Sequence, residues 1–131
     1  MGNGLLGTRV ITQIGLIVKD LDKTAKKYAD FFGVDLPEII TTDIYDKALT
    51  QYMGKPTPAR ARLAFFGQPG GVQVELIEPD EHPSTWREFL DTHGEGIHHI
   101  AFAVKDMGDK VTKLEKIGIP LIQKGEYTGG R

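Results

Sequence analysis

The tripeptide Val18-Lys19-Asp20 returns far down the chain as Val104-Lys105-Asp106. Each copy follows an apolar, β-branched run and opens an amphipathic run that stops at a glycine, Gly33 in the first copy and Gly118 in the second. A chain that repeats itself in this way is built from two copies of one supersecondary unit, and such a repeat limits the fold more than local propensity does. The repeat also aligns two polar residues. Gln13 stands five residues before Val18 and His99 five before Val104, so each copy offers the same position to a side chain able to hydrogen-bond or bind a metal.

In the first copy, 10–18 (VITQIGLIV) reads as a strand, with Val10, Thr12, Ile14, Leu16 and Val18 on one face and Ile11, Gln13, Gly15 and Ile17 on the other. Asp20 is placed to cap a helix whose apolar stripe is Leu21, Ala25, Tyr28 and Phe32, and Gly33 supplies a left-handed stop. A weak strand over 38–46 and a polar loop over 47–59 follow. A strand over 60–67 (RARLAFFG) turns through Gln68-Pro69-Gly70-Gly71 into a strand over 72–78 (VQVELIE), which sets Gln73, Glu75 and Ile77 opposite Val72, Val74 and Leu76. Thr85 with Glu88 resembles a capping box for a short helix ending at His93.

The second copy begins with a strand over 97–104 (IHHIAFAV), placing His98 and Ile100 on one face and His99 and Ala101 on the other. Asp106 is expected to cap a helix carrying Met107, Val111, Leu114 and Ile117, and a strand runs from Pro120 to about Gln123. The apolar strand faces are expected to pack under the two amphipathic helices. The order predicts an α+β fold of paired βαβββ modules forming a cupped mixed sheet, with the second module incomplete. The expected divisions are a flexible tail over 1–9, module one over 10–80, a linker helix over 81–95 and a partial module two over 96–131. Strands missing from the second module would leave unpaired edges, so the natural chain is expected to continue past Arg131.

Composition removes several function classes. A net charge of −2 gives no broad basic surface for nucleic acid. No apolar run reaches membrane-spanning length, and Met1 to Arg9 holds no signal-peptide core. The absence of cysteine excludes disulfides, thiolate metal sites and thiol catalysis, and is compatible with a cytoplasmic location.

The mixed strand faces each carry one notable polar residue: Gln13, Glu75 and His99. On a covered sheet such groups need partners, because unsatisfied burial costs roughly 1–3 kcal/mol. Meeting in one concavity, a carbonyl oxygen, a carboxylate and a neutral imidazole form a donor set for zinc, manganese, cobalt, nickel or iron. The repeat offset puts the counterpart of Glu75 beyond Arg131, where a fourth ligand is expected. The alternative is that each residue is simply hydrogen-bonded or solvated. His98 falls on the opposite face, packed or behind the ligands; His82 and His93 lie in or near connections and are expected to be exposed. Glu78 and Asp80 read as turn-edge charges, and Arg60 and Arg62 serve either an anionic substrate or a solvated strand face.

The runs TQIGLIVKDLDKTAKKYADFFGV, VQVELIEP and HGEGIHHIAFAVKDM resemble the vicinal oxygen chelate superfamily, which includes glyoxalase I, methylmalonyl-CoA epimerase, bleomycin-resistance proteins and extradiol dioxygenases. The resemblance covers 10–130 and is nearest the epimerase and glyoxalase-like branch. It implies a divalent metal held in the cup, with Glu75 and His99 at the second and third ligand positions and Gln13 where the pattern has histidine. It also implies a metal-dependent lyase, isomerase or epimerase that polarises a small carbonyl or thioester substrate and stabilises an enolate, with Glu75 as a candidate base. The epimerase pattern has an acid/base glutamate on the strand before VELIEP, and 60–67 carries no carboxylate. A single histidine also departs from the two-His-one-carboxylate site of ring-cleaving dioxygenases. The alternative is a non-catalytic drug-binding protein of the bleomycin-resistance type. A homodimer is a further expectation from the family.

Overall fold

The computed structural model describes residues 4–127. The ends of the predicted tail and of the predicted partial module, 1–3 and 128–131, lie outside the described residues. The chain is α+β. Strand β1 (Gln13–Ile17) leads into helix α1 (Leu21–Phe32), then β2 (Ile40–Thr41), helix α2 (Tyr45–Ala48), β3 (Gln51–Tyr52), β4 (Lys55–Pro56), β5 (Ala61–Gly67) and β6 (Gln73–Pro79). Helix α3 (Thr85–His93), β7 (Gly96–Ala101), helix α4 (Met107–Lys116) and β8 (Gln123–Lys124) complete it.

Five strands form one mixed sheet in the order β2-β5-β6-β1-β7. β1 is its hub, parallel to β6 on one side and antiparallel to β7 on the other. The two repeated strands, β1 and β7, are therefore direct neighbours. One sheet face packs on α1 through Val18, Leu21, Ala25, Ala29, Ala64, Phe66 and Leu76, with Leu16, Tyr28, Phe32 and Val74 at its margin. Asp20 caps α1 by accepting from the Lys23 N–H at 3.1 Å, and Gly33 ends it at φ 70°. Arg62 fastens this side: its guanidinium donates to both oxygens of Asp22 at 2.9 and 3.1 Å and to Glu78 at 2.8 Å. It holds α1 to the sheet on the face opposite Gln13 and Glu75, and is already engaged within the protein.

The other face is covered at one end by α3, where Trp86, with Phe89 and Leu90, packs on Ile17, Ala61, Leu63 and Ile77. The expectation that both amphipathic helices would cover the apolar faces holds for α1 and fails for α4, which has no buried residue. The lower cover comes instead from α3.

Several local expectations change. The first strand is shorter than 10–18 because Val10 and Ile11 are exposed and pairing begins at Thr12, whose N–H donates to the Ala101 carbonyl. The strand over 97–104 ends at Ala101, where its partner strand also runs out. The weak strand over 38–46 pairs at Ile40 and Thr41 alone and gives way to α2. The expected loop over 47–59 contains a hairpin: β3 and β4 turn through Met53 and Gly54, both at positive φ as a tight hairpin turn requires. Its other edge pairs with β8, forming a second, three-stranded sheet. The cap of α3 is Ser84, whose hydroxyl accepts from the Arg87 N–H at 2.9 Å, one residue earlier than the Thr85 reading. Asp106 makes no side-chain cap, because its backbone is left-handed (φ 52°) and capping geometry needs an extended residue.

Candidate metal centre

The site is built by one row of residues across the sheet. Phe65 on β5 pairs with Glu75 on β6, Glu75 with Gly15 on β1, and Gly15 with His99 on β7. The next row runs Gly67, Gln73, Gln13, Ala101. Facing residues in neighbouring strands project from the same side of a sheet, so Glu75, His99, Gln73 and Gln13 share one concave face.

Their contacts are close. Nε2 of His99 lies 3.0 Å from Oε1 of Gln13 and 3.6 Å from Oε1 of Glu75. The two repeat-equivalent residues, 86 positions apart, thus touch. Gln13 is held from behind by its Nε2 donating to Oε1 of Gln73 at 2.9 Å. Glu75 is 7% exposed in its side chain and His99 30%, so the carboxylate is buried and the imidazole half-buried beside it.

Gly15 makes this possible. A Cβ at that position would stand 2.6 Å from Nε2 and 2.7 Å from Nδ1 of His99, well inside contact distance. The glycine is there for room: the imidazole lies flat across the backbone of β1, filling the volume any larger residue would occupy.

His98 departs from its expected place. Between β1 and β7 the register jumps from Gly15↔His99 to Leu16↔Ile97, so His98 has no partner on β1. Such a bulge turns an extra residue out of strict alternation. His98 consequently lies beside His99, with the two Nδ1 atoms 2.8 Å apart and the rings edge to face. Its Nε2 lies 3.2 Å from the Thr85 hydroxyl, and Phe89 packs against it. Burial lowers the pKa of His98 below the usual histidine value of 6.5, favouring the neutral ring.

Alternation along 72–78 puts Gln73 on the face of Glu75, but only the pairing of β6 with β1 brings it against Gln13. The role of His98 had no periodic signal, since a bulge is a break in periodicity. Of the remaining candidates, His93 is exposed and stacks on Phe89. Arg60 donates to the Thr42 carbonyl. Asp80, Glu81 and His82 bring metal-capable atoms within 4.8 Å of one another, but at a turn where Asp80 already accepts from the backbone N–H groups of Arg60 and His82. An apolar cavity of about 280 Å³ lies elsewhere, between α4, Thr85 and the 120–123 segment. No helix among the described residues is long and apolar enough to cross a membrane.

Chemically, an imidazole nitrogen, a carboxylate and an amide oxygen form a mixed N/O donor set suited to divalent first-row metals. Metal–donor lengths of about 2.0–2.2 Å at tetrahedral or octahedral angles put neighbouring donors roughly 2.8–3.6 Å apart. The 3.0 and 3.6 Å separations here fall in that range, so the residues present fit such an ion.

The chain is also similar to known proteins. The chain is 37% identical over 65 residues to the Bacillus subtilis protein named "Uncharacterized protein YqjC", covering 50% of this chain and 46% of that one. It is 32% identical over 124 residues to a 4-hydroxyphenylpyruvate dioxygenase of Legionella pneumophila, covering 93% of this chain and 32% of the relative. Its fold matches the crystal structure of methylmalonyl-CoA epimerase from Mycobacterium tuberculosis with a TM-score of 0.56 and 28% identity, over 82% of this chain and 63% of the other. The chain thus spans less than two thirds of each of these proteins. Over residues 12–131 it matches the sequence model of one superfamily, and to that group, the glyoxalase/bleomycin resistance protein/dioxygenase superfamily, the chain belongs.

Proposed function

We propose that Gln13, Glu75 and His99 bind a divalent metal ion and that the chain contributes to a lyase, isomerase or epimerase acting on a small carbonyl or thioester compound. The carrying observation is the donor spacing around Nε2 of His99, which matches that of ligands sharing one ion. Zinc, manganese, cobalt, nickel and iron all suit the donor set. A bound divalent ion supplies Lewis acidity toward adjacent substrate oxygens. Gln73 orients the Gln13 amide, and Gly15 gives the His99 ring its seat. Glu75, a buried carboxylate beside His99, would accept a proton from the carbon next to a carbonyl. One histidine rather than two favours proton transfer over iron-dependent ring cleavage. A cytoplasmic location and a homodimer belong to the same reading.

A second reading, a non-catalytic small-molecule binding protein, is favoured by one observation. The β5 residues paired with β6 on the face of Glu75 are Ala61, Leu63, Phe65 and Gly67, with no second carboxylate for acid/base work. Equilibrium dialysis against cobalt(II) or zinc separates the two. The first reading expects one ion per chain, lost in His99→Ala and Glu75→Gln variants that remain folded. A folded wild-type chain that retains no ion overturns it.

A further inference from the structure

The bulge in β7 spends a strand position to place a second imidazole against the first. We propose that His98 is a positioning residue that sets which nitrogen of His99 is bare, through a hydrogen-bonded relay Thr85–His98–His99. This rests on the metal-site reading above and extends it to residues outside the ligand set.

The relay follows from donors and acceptors. Gln13 uses its Nε2 to donate to Gln73, which leaves its Oε1 facing Nε2 of His99. A carbonyl oxygen only accepts, so Nε2 of His99 carries the hydrogen in this arrangement. With Nε2 of His99 donating to Gln13, the relay has Nδ1 of His99 accept from the Nδ1–H of His98, 2.8 Å away. Nε2 of His98 lies 3.2 Å from the Thr85 hydroxyl, which in this tautomer donates to it. Thr85 is free for this because Ser84, not Thr85, caps α3. Its backbone N–H is anchored by Oε1 of Gln123 at 2.8 Å, which fixes where the hydroxyl originates.

A cation at Nε2 of His99 needs that nitrogen bare. The hydrogen must leave Nε2, and the ring stays neutral by holding one on Nδ1 instead. The relay runs in reverse to allow it. The His98 Nδ1 hydrogen passes to Nδ1 of His99, and Nε2 of His98 gains one from solvent on the Thr85 side. One proton leaves at His99 and one enters at His98, so the pair keeps two ring hydrogens throughout. In the reversed state His99 Nδ1–H donates to His98, and His98 Nε2–H donates to the Thr85 oxygen, which a hydroxyl can accept equally well. A ligand histidine whose other nitrogen is held in this way keeps its tautomer and ring orientation.

The test is ¹⁵N NMR of the imidazole rings, which distinguishes protonated from bare nitrogens, combined with zinc titration of the full chain. Without metal, His98 is expected as the Nδ1–H tautomer and His99 as Nε2–H. With zinc, both reverse together. His98→Phe, which fills the same space without a ring nitrogen, is expected to weaken zinc binding about 10–100-fold. His98→Asn, whose amide oxygen can accept from His99 Nδ1–H, restores most of it. Thr85→Val gives an intermediate loss. The relay is overturned if His98 keeps its tautomer when His99 changes, or if His98→Phe binds zinc as tightly as wild type. Should the wild type bind no zinc, the metal-site reading fails by itself. The metal-free tautomers then decide the relay, and a His98 carrying its hydrogen on Nε2 contradicts it.

Discussion

Replacing Gly15 by alanine gives a stability change whose sign depends on where His99 lies. In an ordinary strand interior the substitution stabilises by about 0.5–1 kcal/mol, because alanine loses less backbone entropy on folding. Gly15 has no positive φ, so the backbone itself raises no objection. The space does. The new methyl would lie 2.6 Å from Nε2 of His99, and β1 cannot retreat because β6 and β7 hold it on both sides. Overpacking of this kind costs about 1–3 kcal/mol. For a chain of this size that lowers the melting temperature by roughly 4–12 °C. The clean measurement is a double-mutant cycle by urea denaturation. Gly15→Ala should destabilise the wild type and become neutral or stabilising in a His99→Ala background. A Gly15→Ala protein as stable as wild type, or a penalty that persists without the imidazole, would refute the placement of His99 over β1.

Three further outcomes follow from the same geometry. Asp20→Ala should cost about 1 kcal/mol in chemical denaturation through loss of its cap to Lys23, and a change within about 0.3 kcal/mol would mean the cap contributes nothing. Gln13→His should bind zinc more tightly in calorimetry, since imidazole is a stronger donor than an amide oxygen; an unchanged affinity would mean the side chain is not a ligand. Stability should fall as pH drops below about 6.5, since buried His98 resists the proton that the unfolded chain accepts near that value. The folded state keeps its full margin above that pH and loses it progressively below, and a pH series of melting curves should show a shallower slope for His98→Phe.

The sequence carried much of the architecture because alternation and repetition survive in it. β1, β5 and β6 have one face for α1 and another that is mixed, and Glu75 can be assigned to its face by counting in twos. The duplicated Val-Lys-Asp motif marks β1 and β7 as equivalent, and in the fold these strands are adjacent. What stayed hidden were features that break periodicity or depend on distant pairing. The β3–β4 hairpin is two residues per strand and is stabilised by pairing with β8, more than sixty residues away, so its polar sequence reads as a loop. The bulge at His98 is visible only once the β1–β7 register is known. The cap of α3 moved by one residue because Ser84 and Thr85 are both competent, and only the backbone path chooses between them. α4 is amphipathic yet has no fully buried residue, its Val111 and Leu114 lining only an open apolar cavity, so a correct periodicity did not guarantee a place in the core.

The most direct test of the central claim is to titrate the ¹⁵N-labelled chain with substoichiometric manganese(II) and follow which NMR signals broaden first. A cation at the junction of β1, β6 and β7 should first erase the side-chain amides of Gln13 and Gln73 and the ring signals of His99, leaving the Asp80–His82 turn sharp. Broadening that starts at Asp80, Glu81 and His82, or that spreads evenly over the surface, would contradict a metal site in the cup.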